Sequence, residues 1–246
     1  MKMKNLIVMF TMCAAAMMPA RGQPEHDVIG TSGGDLDMFF VGHGTLMFKY
    51  NGRVIHIDPT SREADYSQMP DADLILVTHE HGDHLDISAI DQVMKDDTRV
   101  VMTQKCVEQL EDFEATVMKN GDRTTLLGIG IEAIPAYNIK HKRPGGAAFH
   151  PRGDGNGYVL TFGDTRVLVA GDTENTPELR ALENIRVAFL PMNLPYTMTP
   201  EMVADAARAI RPDILYPYHY GNTDPQELVS LLRDEPDIEV RIRELQ

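Results

Sequence analysis

Cysteine is nearly missing from this chain, with two in 246 residues, Cys13 and Cys106. They lie far apart, and Cys13 falls in a stretch expected to be removed, so no intramolecular disulfide is expected. Positive charge is also scarce: 23 Lys and Arg face 37 Asp and Glu, a formal net charge of −14. A chain this acidic repels a phosphate backbone and an anionic bilayer, which excludes general nucleic-acid binding. Long apolar runs are absent after residue 18, and the one at the start, Leu6 to Met18, is shorter than the ~20 residues a bilayer span needs. No short-period repeat is visible.

What is present at the start reads as an address. Met1-Lys2-Met3-Lys4-Asn5 is a basic lead, an apolar run follows, and Ala20-Arg21-Gly22 places small residues before Gln23. This predicts a secretory signal peptide over 1–22 and an exported chain, periplasmic or secreted. Phe10-Thr11-Met12 ahead of Cys13 does not resemble a lipoprotein box. Residues 23–35 are polar and glycine-rich, and are expected to form a flexible lead-in. Residues 36–246 then make one domain, long enough to bury ~70% of its unfolded surface in a single core without crosslinks.

Strands are expected at Met38–Val41, Thr45–Tyr50 and Arg53–Asp58, the last two joined by the hairpin dipeptide Asn51-Gly52. A helix follows at Ile87–Met94 and a strand at Arg99–Met102. Another helix is expected near Val107–Phe113. Further strands fall near 130–135, 157–162, 166–170, Leu190, Ile214 and Val240. Helices begin near Pro177, Pro200 and Pro225, the last two with Thr199 and Asp224 as start signals. This order gives a layered α/β fold.

The chemistry concentrates in Leu74 to Leu85. Leu74-Ile75-Leu76-Val77 predicts a buried strand, and Thr78 ends it. Then come His79, His81, Asp83 and His84 in quick succession. Imidazole and carboxylate are the ligands zinc takes in hydrolytic sites. In an extended loop His79 and His81 point the same way and can grip one ion, and Gly82 lets Asp83 and His84 turn to a second.

His-x-His-x-Asp-His after an apolar strand resembles the signature of the metallo-β-lactamase superfamily. The resemblance implies a four-layer αββα sandwich. It also implies that Gly42-His43 and Asp58-Pro59 flank the site, with Asp58 orienting a ligand imidazole. Gly171-Asp172-Thr173 is similar to the triplet that supplies a bridging carboxylate. An aspartate there, where true β-lactamases place a thiolate, favours the wider hydrolase branch. His219 resembles the family's last histidine. For the remaining ligand, His150 is preferred to His141, because it lies nearer Asp172 and just ahead of a strand. The run around His150 is similar to uncharacterised hydrolases related to the ascorbate phosphate lactonases.

The implied centre has His79, His81 and His150 on one zinc, Asp83, His84 and His219 on a second, and Asp172 between them. Mn2+ or Fe2+ are alternatives. Two such ions would lower a water's pKa from ~15.7 to about 7 for attack on an ester, lactone, thioester or phosphodiester. Asp83 and Asp172 would take part in catalysis, and Tyr196 would donate to the developing oxyanion. An iron-dependent oxygenase and an idle metal-binding protein are the competing classes. A flavodiiron reductase is disfavoured, since no Glu replaces His81 and no flavin domain follows. The substrate is expected to be a small molecule. Lys142, Arg143 and Arg152, on a glycine-containing loop read as mobile, would favour an anionic one.

Overall fold

Short runs of β-branched and aromatic residues, cut by glycine-containing turns, set the strands. The computed structural model describes residues 24–110 and 113–246, so the expected signal peptide lies outside the described residues. β1 (His26–Thr31), β2 (Gly34–Gly42), β3 (Thr45–Tyr50) and β4 (Arg53–Ile57) form an antiparallel meander. β5 (Leu74–Leu76), β6 (Arg99–Met102) and β7 (Thr116–Val117) extend it as parallel strands. Asn51 and Gly52 have φ of 50° and 74°, as the tight hairpin between β3 and β4 requires.

β1 corrects the expectation of a flexible lead-in. It pairs along β2 from His26 opposite Phe39 to Thr31 opposite Gly34, and Ile29 is buried. Val28, Ile29 and Thr31 are β-branched, a strand signal too short to stand out among polar and glycine neighbours, and pairing with the edge of β2 orders the segment. Asp27 on β1 is also tied to Tyr216, Arg241 and Arg243 near the other end of the chain.

The second sheet repeats the plan. β8 (Arg123–Leu126), β9 (Ile129–Ala136), β10 (Gly155–Phe162) and β11 (Thr165–Val169) run antiparallel. β12 (Val187–Pro191), β13 (Ile214–Tyr218) and β14 (Glu239–Val240) continue in parallel. Among the described residues, each sheet has seven strands in sequence order.

α1 (Ile87–Val93) begins at Asp86, whose side chain accepts from the Ser88 and Ala89 amides. α2 (Gln104–Val107) lies ahead of the helix expected near Val107–Phe113, of which residues 111 and 112 fall outside the described residues. Thr103 starts α2 early by accepting from the Cys106 amide. α3 (Pro177–Arg180), α4 (Pro200–Ile210) and α5 (Pro225–Leu231) each carry proline in the first turn behind a Thr or Asp cap.

Strand alternation divides the interior. Leu74 and Leu76 on β5 face the other sheet and join Phe48, Phe162 and Phe189 in the central core. Ile75 and Val77 face outward and pack under Ile90 and Val93 of α1. On the far side, Val203 of α4 and Leu228 of α5 join the central cluster. The result is the expected four-layer αββα sandwich.

Candidate metal centre

Parallel pairing of β4 and β5 brings their ends side by side, and this places the first polar group. The Thr78 amide and hydroxyl each donate to the Asp58 carboxylate at 2.7 Å. Asp58 Oδ2 lies 2.8 Å from His84 Nδ1, and both side chains are fully buried. A proton on His84 Nδ1 is thereby held against Asp58, which directs Nε2 toward the ligand groups. Asp58, His43 and His219 hold left-handed φ values of 46°, 50° and 46°, conformations that non-glycine residues adopt at a cost. Their clustering here marks a backbone shaped for the site.

The histidine loop bends by a turn and not by its glycine. The His84 and Leu85 amides donate to the His81 carbonyl at 2.9 and 2.8 Å. Gly82 is outside the positive-φ residues, and a Cβ there would meet nothing. The glycines that matter lie elsewhere. Gly171 has φ 64°, and a Cβ would sit 2.7 Å from the Asn156 carbonyl; at Gly44 it would sit 2.7 Å from His84 Cε1.

Two ligand groups result. His81 Nδ1 lies 3.1 Å from His79 Nε2 and 3.2 Å from His150 Nε2. Asp172 Oδ2 faces this group, 3.2 Å from His150 Nε2 and 3.9 Å from His79 Nε2. Asp172 Oδ1 faces the other way, 3.5 Å from His84 Nε2 and 3.4 Å from His219 Nε2. Asp83 Oδ2 approaches the second group at 3.7 Å from His219 and 4.0 Å from His84. His43 turns into the cleft, its Nε2 3.5 Å from Asp83 and its ring 3.7 Å from that of His219.

The donor set fits divalent ions. His84 Nε2, Asp172 Oδ1 and His219 Nε2 are buried without a hydrogen-bond partner, a costly arrangement that a cation would relieve. Burial and the neighbouring His84 hold His79 well below the usual imidazole range, so it stays neutral. Burial opposes charge on Asp172, but His219 and His84 outweigh it and hold the carboxyl well below its usual range. Burial likewise opposes charge on Asp83; His219 and His43 overcome it and keep it ionised. Burial would depress His84, yet the Asp172 and Asp58 carboxylates push it up to about 9. A bound cation would take the place of the second proton that this value puts on His84, so that imidazole nitrogens and ionised carboxylates face the ion, as Zn2+, Mn2+ or Fe2+ require.

His150 is set by a residue that sequence reasoning missed. Asn138 Oδ1 accepts from the His150 amide at 2.7 Å and lies 3.0 Å from His150 Nδ1. Asn138 is in turn held by Glu174, whose buried carboxylate accepts from the Ile139, Lys140 and His141 amides at 2.8, 2.7 and 2.6 Å. Burial opposes that charge, but the backbone donors of Lys140 and His141 lower its pKa. His141 faces Glu174 at 2.9 Å, away from the ligand groups. No local motif announces Asn138 or Glu174; Glu174 only follows the Gly-Asp-Thr triplet.

A cleft of about 390 Å³ opens above both groups and is lined by Arg62, Arg143, Phe149, Asn193 and Tyr196 as well as ligand residues. Tyr196 is half exposed there, edge-on to Phe149 at 5.0 Å. Of the three predicted cations, only Arg143 reaches the lining. Arg152 instead pairs with Glu178 and lies over the Tyr137 ring at 5.3 Å. Lys142 pairs through its backbone with Ala148 and is exposed outside the lining. The loop is thus a formed hairpin, closed also by the Arg143 amide on the Ala147 carbonyl at 2.7 Å. Arg62 and Asn193 were not foreseen.

Comparison with known proteins places this geometry. Residues 37–219 match the Beta-lactamase superfamily domain. The UPF0173 metal-dependent hydrolase of Thermococcus kodakarensis is 28% identical over 81% of this chain and 93% of its own length. A crystal structure from Parabacteroides distasonis, of a protein assigned to the metal-dependent hydrolases, is 48% identical, with a TM-score of 0.85 over 90% of this chain and 99% of that one. The diiron β-hydroxylase CmlA of Streptomyces venezuelae superposes with a TM-score of 0.67 at 16% identity over 89% of this chain and 53% of that one, a likeness of fold alone.

Proposed function

Because the chain belongs to the Beta-lactamase superfamily domain family, whose metal-dependent hydrolases it resembles along nearly its whole length, we propose that it is an exported, dinuclear zinc hydrolase. It is a metal-dependent hydrolase; the zinc pair, the bond and the export are the proposal. The substrate is a small molecule with an ester, lactone, thioester or phosphodiester bond, with an anionic one favoured by the cationic side chains at the mouth.

One observation carries the reading. Asp172 turns Oδ2 to His79 and His150 and Oδ1 to His84 and His219, the disposition of a carboxylate shared by two ions. His79, His81 and His150 would hold the first ion, and Asp83, His84 and His219 the second. When bound, such a pair supplies Lewis acidity and hydroxide at neutral pH. The chain's residues do the rest. Asp83 faces the cleft with a third of its side chain exposed; being ionised, it can accept the proton released by the attacking water and pass it to the leaving group. Tyr196, also in the cleft, can donate its hydroxyl to the oxyanion. Asp58 and Asn138 hold His84 and His150 so that both ring nitrogens stay directed.

The test is metal analysis of protein purified without added metal, followed by a panel of lactones, thioesters, phosphodiesters and β-lactams with and without chelator. Two zinc ions per chain and chelator-sensitive hydrolysis are expected, with β-lactams poor substrates. Iron together with oxygen consumption would replace this reading by the oxygenase, and hydrolysis indifferent to chelator would end it. Export predicts a mature chain beginning at Gln23 outside the cytoplasm, read by N-terminal sequencing.

A further inference from the structure

We infer that Arg62 and Arg143 form an anion clamp at the mouth of the metal cleft, so that the substrate carries a carboxylate or phosphate apart from the bond that is cut. This rests on the hydrolase reading and names its substrate class.

The two guanidiniums come from different halves of the chain. Arg62 follows the Asp58 turn at the end of β4, and Arg143 lies on the hairpin that leads into His150. Both line the one cleft above the ligand groups. Most other arginines of the described residues pair with carboxylates, among them Arg152 with Glu178, Arg180 with Asp205, Arg241 with Glu239 and Arg243 with Asp27; Arg99 and Arg233 do not, but neither lines the cleft. Among the described residues, Arg62 and Arg143 have no carboxylate within 4.0 Å, in a chain with a large excess of acid.

Arg143 is also held in place. Its guanidinium carbon sits 5.1 Å over the Phe149 ring, and Nη2 lies 3.5 Å from the Phe149 carbonyl. Phe149 is buried and braced edge-on by Tyr196. The Arg143 backbone is closed on Ala147. A guanidinium fixed on an aromatic face and left without a counter-ion presents its donors to whatever enters the cleft.

The other charged groups of the lining are the carboxylates Asp83 and Asp172, both turned toward imidazoles and the expected ions. Those ions would offset them, which leaves the two rim guanidiniums as unneutralised charge. Carboxylate and phosphate match the planar donor fork of Arg, and phosphate takes two forks at once. Asn193, in the same lining, adds an amide. A cleft of about 390 Å³ lies near the lower end of the ~300–1,000 Å³ of small-molecule sites, so a metabolite fits and a polymer does not.

The experiment uses the metal-loaded protein, wild type and Arg62→Ala, Arg143→Ala, the double variant and Arg143→Lys, with metal content measured for each. Calorimetric titration with inorganic phosphate and with acetate gives the affinity without turnover. Matched esters or lactones, neutral, carboxylated and phosphorylated, give kinetics. Phosphate affinity should fall at least about tenfold in the double variant at equal metal content, and Arg143→Lys should restore little of the Arg143 share. The ratio of kcat/KM for the anionic over the neutral substrate should fall about tenfold or more, mostly through KM. A larger loss for phosphate than for acetate assigns a phosphorylated substrate; the reverse assigns a carboxylated one. Unchanged phosphate affinity with an unchanged ratio overturns the clamp and leaves the hydrolase standing. Arginine-dependent phosphate binding in a protein that hydrolyses nothing in the panel keeps the clamp and overturns the hydrolase.

Discussion

The two halves of this molecule are built alike and furnish the site differently. Each sheet is a meander followed by parallel strands, and in each the fourth strand ends at a buried aspartate, Asp58 after β4 and Asp172 after β11. The first half then delivers His79, His81, Asp83 and His84 from one loop. The second half delivers His150, Asp172 and His219 from three separate connections. The equivalent aspartates have diverged in role. Asp58 binds the His84 ring from behind, whereas Asp172 stands between the ligand groups. A compact loop gives local geometry cheaply; only the packed second sheet can set a group between both of its clusters.

The largest effect should come from that asymmetry. Asp172→Ala should lose both metals, while His81→Ala should lose one and keep part of the other. Hydrolysis should fall on the order of 10³-fold or more in both. Metal analysis by mass spectrometry decides; a full second site in Asp172→Ala would show that Asp172 is not shared.

Next is the choice within the second half. His150→Ala should remove metal from the first group, and His141→Ala should retain the wild-type metal content. The opposite result would move the ligand to His141 despite its contact with Glu174.

A matched pair then asks how each half positions its histidines. Asp58→Asn should weaken metal affinity by about 10–100-fold, since the carboxylate touches His84 directly. Glu174→Gln acts through Asn138 and the Ile139–His141 amides, so its effect on metal affinity should be smaller, about tenfold or less. Competition with a metal indicator measures both. A larger loss in Glu174→Gln would mean that the second half relies on its indirect network more than on the ligand's own bond.

The smallest effect concerns the seam between the halves. Burial opposes charge on Asp27, but Arg243 and Tyr216 outweigh it and lower the carboxyl below its ordinary value of 3.8. A lowered folded pKa contributes stability that is present above 3.8 and lost as pH falls through the folded value. The urea midpoint of Asp27→Asn should therefore lie below that of wild type at pH 6, with the gap narrowing below about pH 4. A gap constant down to pH 3 would assign the contribution of Asp27 to packing.

The legible and illegible parts of the sequence divide along the same line. Residues that cooperate through neighbours in the chain could be read directly: the Asn51-Gly52 hairpin, the proline starts of α4 and α5, and the crowded ligands from His79 to His84. Asp172, His150 and His219 were readable only through likeness to a family, because nothing near each of them names its partners. β1 escaped because its order comes from the edge of β2. α2 begins ahead of the helix expected near Val107 because Thr103 caps it early, and Gly82 received a role that the turn at His81 performs.

By itself, the sequence determined which chemical groups exist and where strands end in them, since hydrophobic alternation and turn residues act over a few positions. Tertiary structure alone decided that Asp172 would face two ways, that Asn138 and Glu174 would stand behind His150, and that Arg62 and Arg143 would line one cleft while Arg152 left for Glu178. The reason is physical. Side-chain direction at a strand end depends on register and on the neighbouring sheet, and those are fixed by long-range pairing that no local pattern encodes.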